Sequence, residues 1–153
     1  GYFGNPGNTE CVQTNESTLS LSFQKNGVTN YISTKFDVNF NVILFNSLTR
    51  TDIFNQGIDI SLAPPAGNSF TLAFPSSGTF EENPAGTVIL MFYLPTIKPT
   101  NQWVLTPGTA PYTYTIKNVG TNRYLQDCCT TGASPVLFTV LSVDELPPFL
   151  NPV

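Results

Sequence analysis

Apolar residues recur at every second position in short runs along this 153-residue chain, and no stretch carries a convincing helical heptad. Leu19-Ser-Leu21-Ser-Phe23, Phe70-Thr-Leu72-Ala-Phe74 and Tyr112-Thr-Tyr114-Thr-Ile116 alternate as half-buried strands do. Val42–Phe45 and Val88–Phe92 are continuous apolar runs of strand length, and Val136–Val140 is a third, apolar but for Thr139. Turn-forming clusters separate them: Lys25-Asn26-Gly27, Ala63–Gly67, Pro75–Gly78, Thr106-Pro107-Gly108 and Val119–Asn122. A chain with this period and these breaks is all-β.

The pattern repeats. Phe23 to Tyr31 and Ile116 to Tyr124 are both separations of eight, and the apolar runs start at Val42, Val88 and Val136. Three four-strand units result, at about 18–68, 69–110 and 111–153, closed in turn by Ile58–Leu62, Trp103–Leu105 and Phe149-Leu150. An isolated hairpin cannot bury its own face, so three such units must close on one another. The expected fold is a β-trefoil, with a β-sandwich or jelly roll as the alternative. Residues 1–17 lack periodicity and read as an extended N-terminal arm anchored at Tyr2, Phe3 or Cys11. Trp103 falls at a repeated core position shared with Phe54 or Ile58 and with Phe149, and it reads as core, as do Phe23, Phe74 and Phe92.

Charged residues make up 10% of the chain, against about 25% in ordinary soluble domains. The six basic residues are scattered and the net charge is −4, which excludes the clustered cations that nucleic acid requires. No apolar run reaches the length of a membrane helix, so no membrane partner is expected. The chain starts at Gly1, and Asn15-Glu16-Ser17 is a glycosylation sequon; together they suggest a secreted, extracellular or vacuolar protein.

Cys11, Cys128 and Cys129 form an odd set. Adjacent cysteines rarely bond to each other, so an internal disulfide would join Cys11 to one of the pair. The other would be left for a second copy of the chain. No histidine is present and no C-x-x-C spacing occurs, so neither a zinc site nor a histidine-based triad is expected, and no cofactor is implied. Glu81-Glu82 and Asp144-Glu145 are adjacent, so strand geometry would send each pair to opposite faces; they read as solvated turn charges rather than glycosidase carboxylates.

Tyr114-Thr-Ile-x-Asn-Val-Gly-Thr-x-x-Tyr-Leu125 is similar to the opening strand pair of fungal β-trefoil proteins, and Asn101-Gln102-Trp103 resembles the closing strand of ricin-B-like lectins. Mushroom trefoil protease inhibitors share the same frame. The lectin resemblance implies a sugar-binding carboxylate after the second strand of each unit, where this chain has Ser33, Glu81 and Gln126, with Asp127 one residue further on. The expected function is non-catalytic carbohydrate binding through Asn122, Tyr124, Gln126 and Asp127, with Arg123 beside them. Two rivals stand next to it. One is a self-assembling structural or storage protein joined through cysteines or the N-terminal arm. The other is a protease inhibitor acting on another protein's surface through Pro95–Thr100 or Ala63–Asn68.

Overall fold

In a computed structural model the described residues are 2–4, 11–13, 19–36, 42–46, 59–62, 68–74, 78–83, 88–92, 96–127 and 130–146. They contain fourteen strands: β1 (Tyr2–Gly4), β2 (Cys11–Gln13), β3 (Leu19–Lys25), β4 (Val28–Phe36), β5 (Val42–Asn46), β6 (Asp59–Leu62) and β7 (Phe70–Phe74), then β8 (Gly78–Asn83), β9 (Val88–Phe92), β10 (Trp103–Pro107), β11 (Thr113–Asn118), β12 (Tyr124–Leu125), β13 (Thr131–Gly132) and β14 (Phe138–Ser142). Two single 3-10 turns, Pro99–Asn101 and Val143–Glu145, are the only helical segments among them. The protein is all-β, as its alternation predicts.

Twelve strands make one curled antiparallel sheet, and β1 and β2 pair separately as a small hairpin within the opening segment. One pairing scheme recurs along the chain. β3 pairs with β4 and β4 with β5; β7 with β8 and β8 with β9; β11 with β12 and β12 with β13. The next strand in each series then joins a first strand further on: β6 to β7, β10 to β11, and β14 back to β3. The last strand of the sheet therefore lies against its first.

The turns behave as their residues dictate. Asn26 and Gly27 have φ of 53° and 77°, and Lys25 faces Val28 across them, which is the two-residue hairpin that an Asn-Gly pair favours. In β11 burial alternates strictly: Tyr114, Ile116 and Asn118 point inward, and Thr113, Thr115 and Lys117 do not. β3 departs from alternation. All of Leu19–Phe23 is buried, and Ser20 Oγ donates to the Leu141 carbonyl at 3.1 Å, so the serine face is covered as well as the leucine face.

The order of elements in the last third differs from the sequence reading. Val136–Val140 was expected as the third strand of its unit and Phe149-Leu150 as the closing one. Instead β13 stands third, and β14, which contains Phe138 and Val140, pairs with β11 and β3 as a closing strand does. The reason is local. β13 is two residues long and carries only Thr131 and Gly132, so it has no apolar signature to find. Phe149, Phe54 and Ile58 lie outside the described residues, as do the side chains of Phe74 and Phe92.

The core gathers inward-facing residues from strands of every part of the sheet: Leu21 and Phe23, Ile32, Phe70 and Leu72, Phe80, Trp103, Tyr114 and Ile116, Leu125, Phe138 and Val140. Phe23 and Phe138 face each other across β3 and β14 with ring centroids 5.6 Å apart and tilted by 56°. Trp103 is 0% exposed, and its Nε1 donates to the Phe80 carbonyl at 3.3 Å. It is a core residue, as its repeat position suggests. Replacing it with alanine removes both the ring and the donor, and Trp103→Ala is expected to cost about 3–5 kcal/mol in a urea unfolding titration.

Candidate functional site

The candidate residues lie on and around the β11–β12–β13 ribbon. Tyr124 is opposite Lys117 on one side and Gly132 on the other. Its ring is half-buried, and the Lys117 ammonium sits 5.4 Å from the ring centroid, within cation–π range. Leu125, the next residue, points into the core. Two residues beyond Tyr124, Gln126 is also half-buried, and its Nε2 donates to the Ser134 carbonyl. Its chain lies over Gly132, where a Cβ would approach Gln126 Cδ to 3.1 Å. An aromatic ring, an ammonium and a carboxamide thus share one stretch of half-exposed surface.

The other two candidates shape turns. Asn122 is exposed at φ 59°, in the left-handed region that asparagine tolerates, and its N–H donates to the Asn118 carbonyl at 3.0 Å. Asp127 Oδ1 accepts from both the N–H and the hydroxyl of Thr130 at 3.1 Å, closing the loop that follows β12. Cys128, Cys129 and Asn15 lie outside the described residues, and of Cys11 the backbone alone is described, opposite Gly4. The loop at 63–67 is outside them too.

Beneath this surface is a feature that the sequence reading placed in solvent. Glu81 is 6% exposed and Glu82 0%, on adjacent positions of β8. Both are buried and partnered, which corrects their assignment as solvated turn charges. Glu82 accepts the hydroxyl protons of Thr121 and Thr131, and the Arg123 Nε lies 3.0 Å from its Oε1. The Arg123 contact is an ion pair rather than a directed hydrogen bond. Arg123 thus supports the turn through its Nε, with its side chain 31% exposed. Glu81 has Lys98 Nζ at 3.1 Å and Asn101 Nδ2 at 3.2 Å. That position is where the lectin resemblance implied a sugar-binding carboxylate, and here the carboxylate is occupied inside the protein. Asp144 and Glu145, by contrast, are exposed as expected.

Two asparagines complete the support. Asn118 is fully buried; its Oδ1 accepts from Gly120 N–H at 2.9 Å and Thr121 N–H at 3.3 Å, and its Nδ2 donates to the Thr100 carbonyl at 2.9 Å. Gly120 N–H also reaches the Pro99 carbonyl at 3.1 Å, and a Cβ at Gly120 would crowd that carbonyl carbon at 3.1 Å, so glycine suits the close approach. Asn101, 0% exposed, holds the Thr96–Pro99 segment through Lys98 N–H and the Thr96 carbonyl. Gln102 accepts from Ser69 Oγ at 3.0 Å. The Asn101-Gln102-Trp103 triplet, read as a lectin-like closing strand, is thus wholly buried and structural.

With its fold and this surface described, the chain can be placed among known proteins. No protein-family model and no curated protein matches the chain. Solved structures with a similar fold include SeviL bound to asialo-GM1 saccharide, 12% identical with a TM-score of 0.62, the match covering 82% of this chain and 97% of SeviL. A salivary protein from Culex quiquefasciatus of the Cysteine and Tryptophan-Rich (CWRC) family is 14% identical with a TM-score of 0.60, covering 82% of this chain and 93% of that one. At such identities the likeness is one of fold.

Removing Glu82 would leave Arg123 beside a buried void and two threonine hydroxyls without acceptors. Glu82→Ala is expected to lower unfolding free energy by about 3–5 kcal/mol, whereas Glu145→Ala should stay within about 0.5 kcal/mol. Parallel guanidinium titrations of the two variants check the contrast.

Proposed function

We propose that the chain is a non-enzymatic β-trefoil protein that binds carbohydrate at the Tyr124 surface. The trefoil assignment draws support from the threefold recurrence of one pairing scheme and from the return of β14 to β3. The functional assignment rests on one observation: a half-exposed tyrosine ring flanked by an ammonium and a carboxamide, on a fold like that of a saccharide-bound protein.

The chemistry suits a sugar. The C–H face of a pyranose packs against an aromatic ring, while its hydroxyls need donors and acceptors set at the ring's edge. Tyr124 supplies the ring. Gln126 is fixed by the bond of its Nε2 to Ser134, its Oε1 is an acceptor for a hydroxyl, and Lys117 supplies donors. Gly132 keeps the neighbouring strand low beside the ring. Asn122, exposed two residues before Tyr124, is the residue this reading assigns to a second sugar unit. A secreted or vacuolar setting, suggested by the Asn15 sequon and the low charge density, suits such a protein.

Tyr124→Ala tests the site. On a glycan array the parent protein is expected to show saturable binding, and the variant should bind at least about tenfold more weakly, a loss of about 1.4 kcal/mol. The partly exposed position predicts a nearly unchanged melting temperature. An array left blank by the parent protein would remove the reading.

A further inference from the structure

We propose that the Tyr124 surface takes an anionic saccharide, a sugar bearing a carboxylate or a sulfate, and that Lys117 is the residue that selects it. The inference rests on the carbohydrate reading above and narrows it from sugars in general to charged ones. It starts from how the chain disposes of its few cations. Asp and Glu outnumber Lys and Arg by ten to six, so carboxylates are in surplus. Arg123 is paired with Glu82, and Lys98 with Glu81. Lys117 differs: no carboxylate among the described residues lies within ion-pair distance of it.

What Lys117 has instead is a ring. Its ammonium is 5.4 Å from the Tyr124 centroid, and the register of β11 with β12 sets the two residues opposite each other. Lys117 is half-buried, so register and packing together hold its charge beside the ring. An aromatic quadrupole attracts a cation but carries no net charge. The positive charge is therefore placed without being neutralised.

The neighbouring groups leave it so. Gln126, on the same stretch of surface, is a neutral carboxamide whose Nε2 donates to the Ser134 carbonyl. Asp127 is the acidic residue nearest in sequence; it makes no ion pair with Lys117, and its Oδ1 accepts from the N–H and the hydroxyl of Thr130. On one side of Tyr124 stands the ammonium, and on the other β13 brings Gly132, which has no side chain. A pyranose enters from the Gly132 side and meets Gln126 with its hydroxyls. An exocyclic anion that passes the ring edge then reaches Lys117 in a charge-assisted hydrogen bond, about twice as strong as a neutral one. A neutral sugar gains only the weaker bond. The selection is by charge rather than shape, so carboxylate and sulfate both qualify.

The test is a glycan array of matched pairs, each neutral glycan printed beside its sialylated, uronate-bearing or sulfated counterpart. The full-length chain is expected to bind the charged members at least about tenfold more tightly, and the preference should shrink as sodium chloride is raised. Lys117→Met keeps the stem against Tyr124 and removes the charge; it should bring the charged and neutral members level, with an unchanged melting temperature. Lys117→Arg should keep the preference. Tyr124→Ala, by contrast, should weaken both members of each pair. A preference confined to sulfated or to carboxylated glycans would support the proposal and identify the anion. Equal binding within the pairs, or a preference that Lys117→Met retains, would overturn it while the carbohydrate reading stands. A blank array would remove both.

Discussion

Two carboxylates on neighbouring positions of one strand hold the polar half of this protein together. A charge taken out of water is stable only where donors surround it, and β8 places Glu81 and Glu82 where different segments must supply them. Glu82 takes its donors from the turn before β12 and from β13; Glu81 takes them from the 3-10 segment before β10. Strand alternation sends the two side chains apart, so one dipeptide organises two separate pieces of irregular chain. With only 10% charged residues available, the protein concentrates much of its described ionic chemistry at this point.

The surface around Tyr124 and the Thr96–Asn101 segment both stand on this support. Thr121, Arg123 and Thr131 bracket Tyr124 in sequence and in space, and all three contact Glu82. Asn101 and Lys98 contact Glu81. Gly120 joins the two regions through its bond to the Pro99 carbonyl. The apolar core fixes the strands, and the buried carboxylates fix what the strands carry outward.

Period-two alternation located most strands directly, because a strand with one covered face must alternate and the turns between strands need Asn, Gly or Pro. It failed where that cause was missing. β13 is too short and too polar to alternate, so the apolar stretch of β14 was read one strand early and the closing position was assigned to Phe149. The Glu81-Glu82 pair failed for another reason. Nothing near it in sequence reveals a partner, since Arg123 comes from a turn and Thr131 from a strand that only the folded topology brings alongside. Tyr124 and Gln126 were legible from a strand after a turn; the ammonium beside the ring follows from register between β11 and β12.

The contact of β14 with β3 has a consequence for how the molecule comes into being. Phe138 meets Phe23 across a separation of 115 residues, so the inner face of β3 stays uncovered until β14 has been synthesised. Closing so long a loop is slow, and local hairpins cannot substitute for it. Folding is thus deferred until β14 has emerged, and a nascent chain must carry its exposed Leu21 and Phe23 through that interval. The same contact ties the latest strand of the sheet to its earliest, so β3 and β14 are gained and lost together.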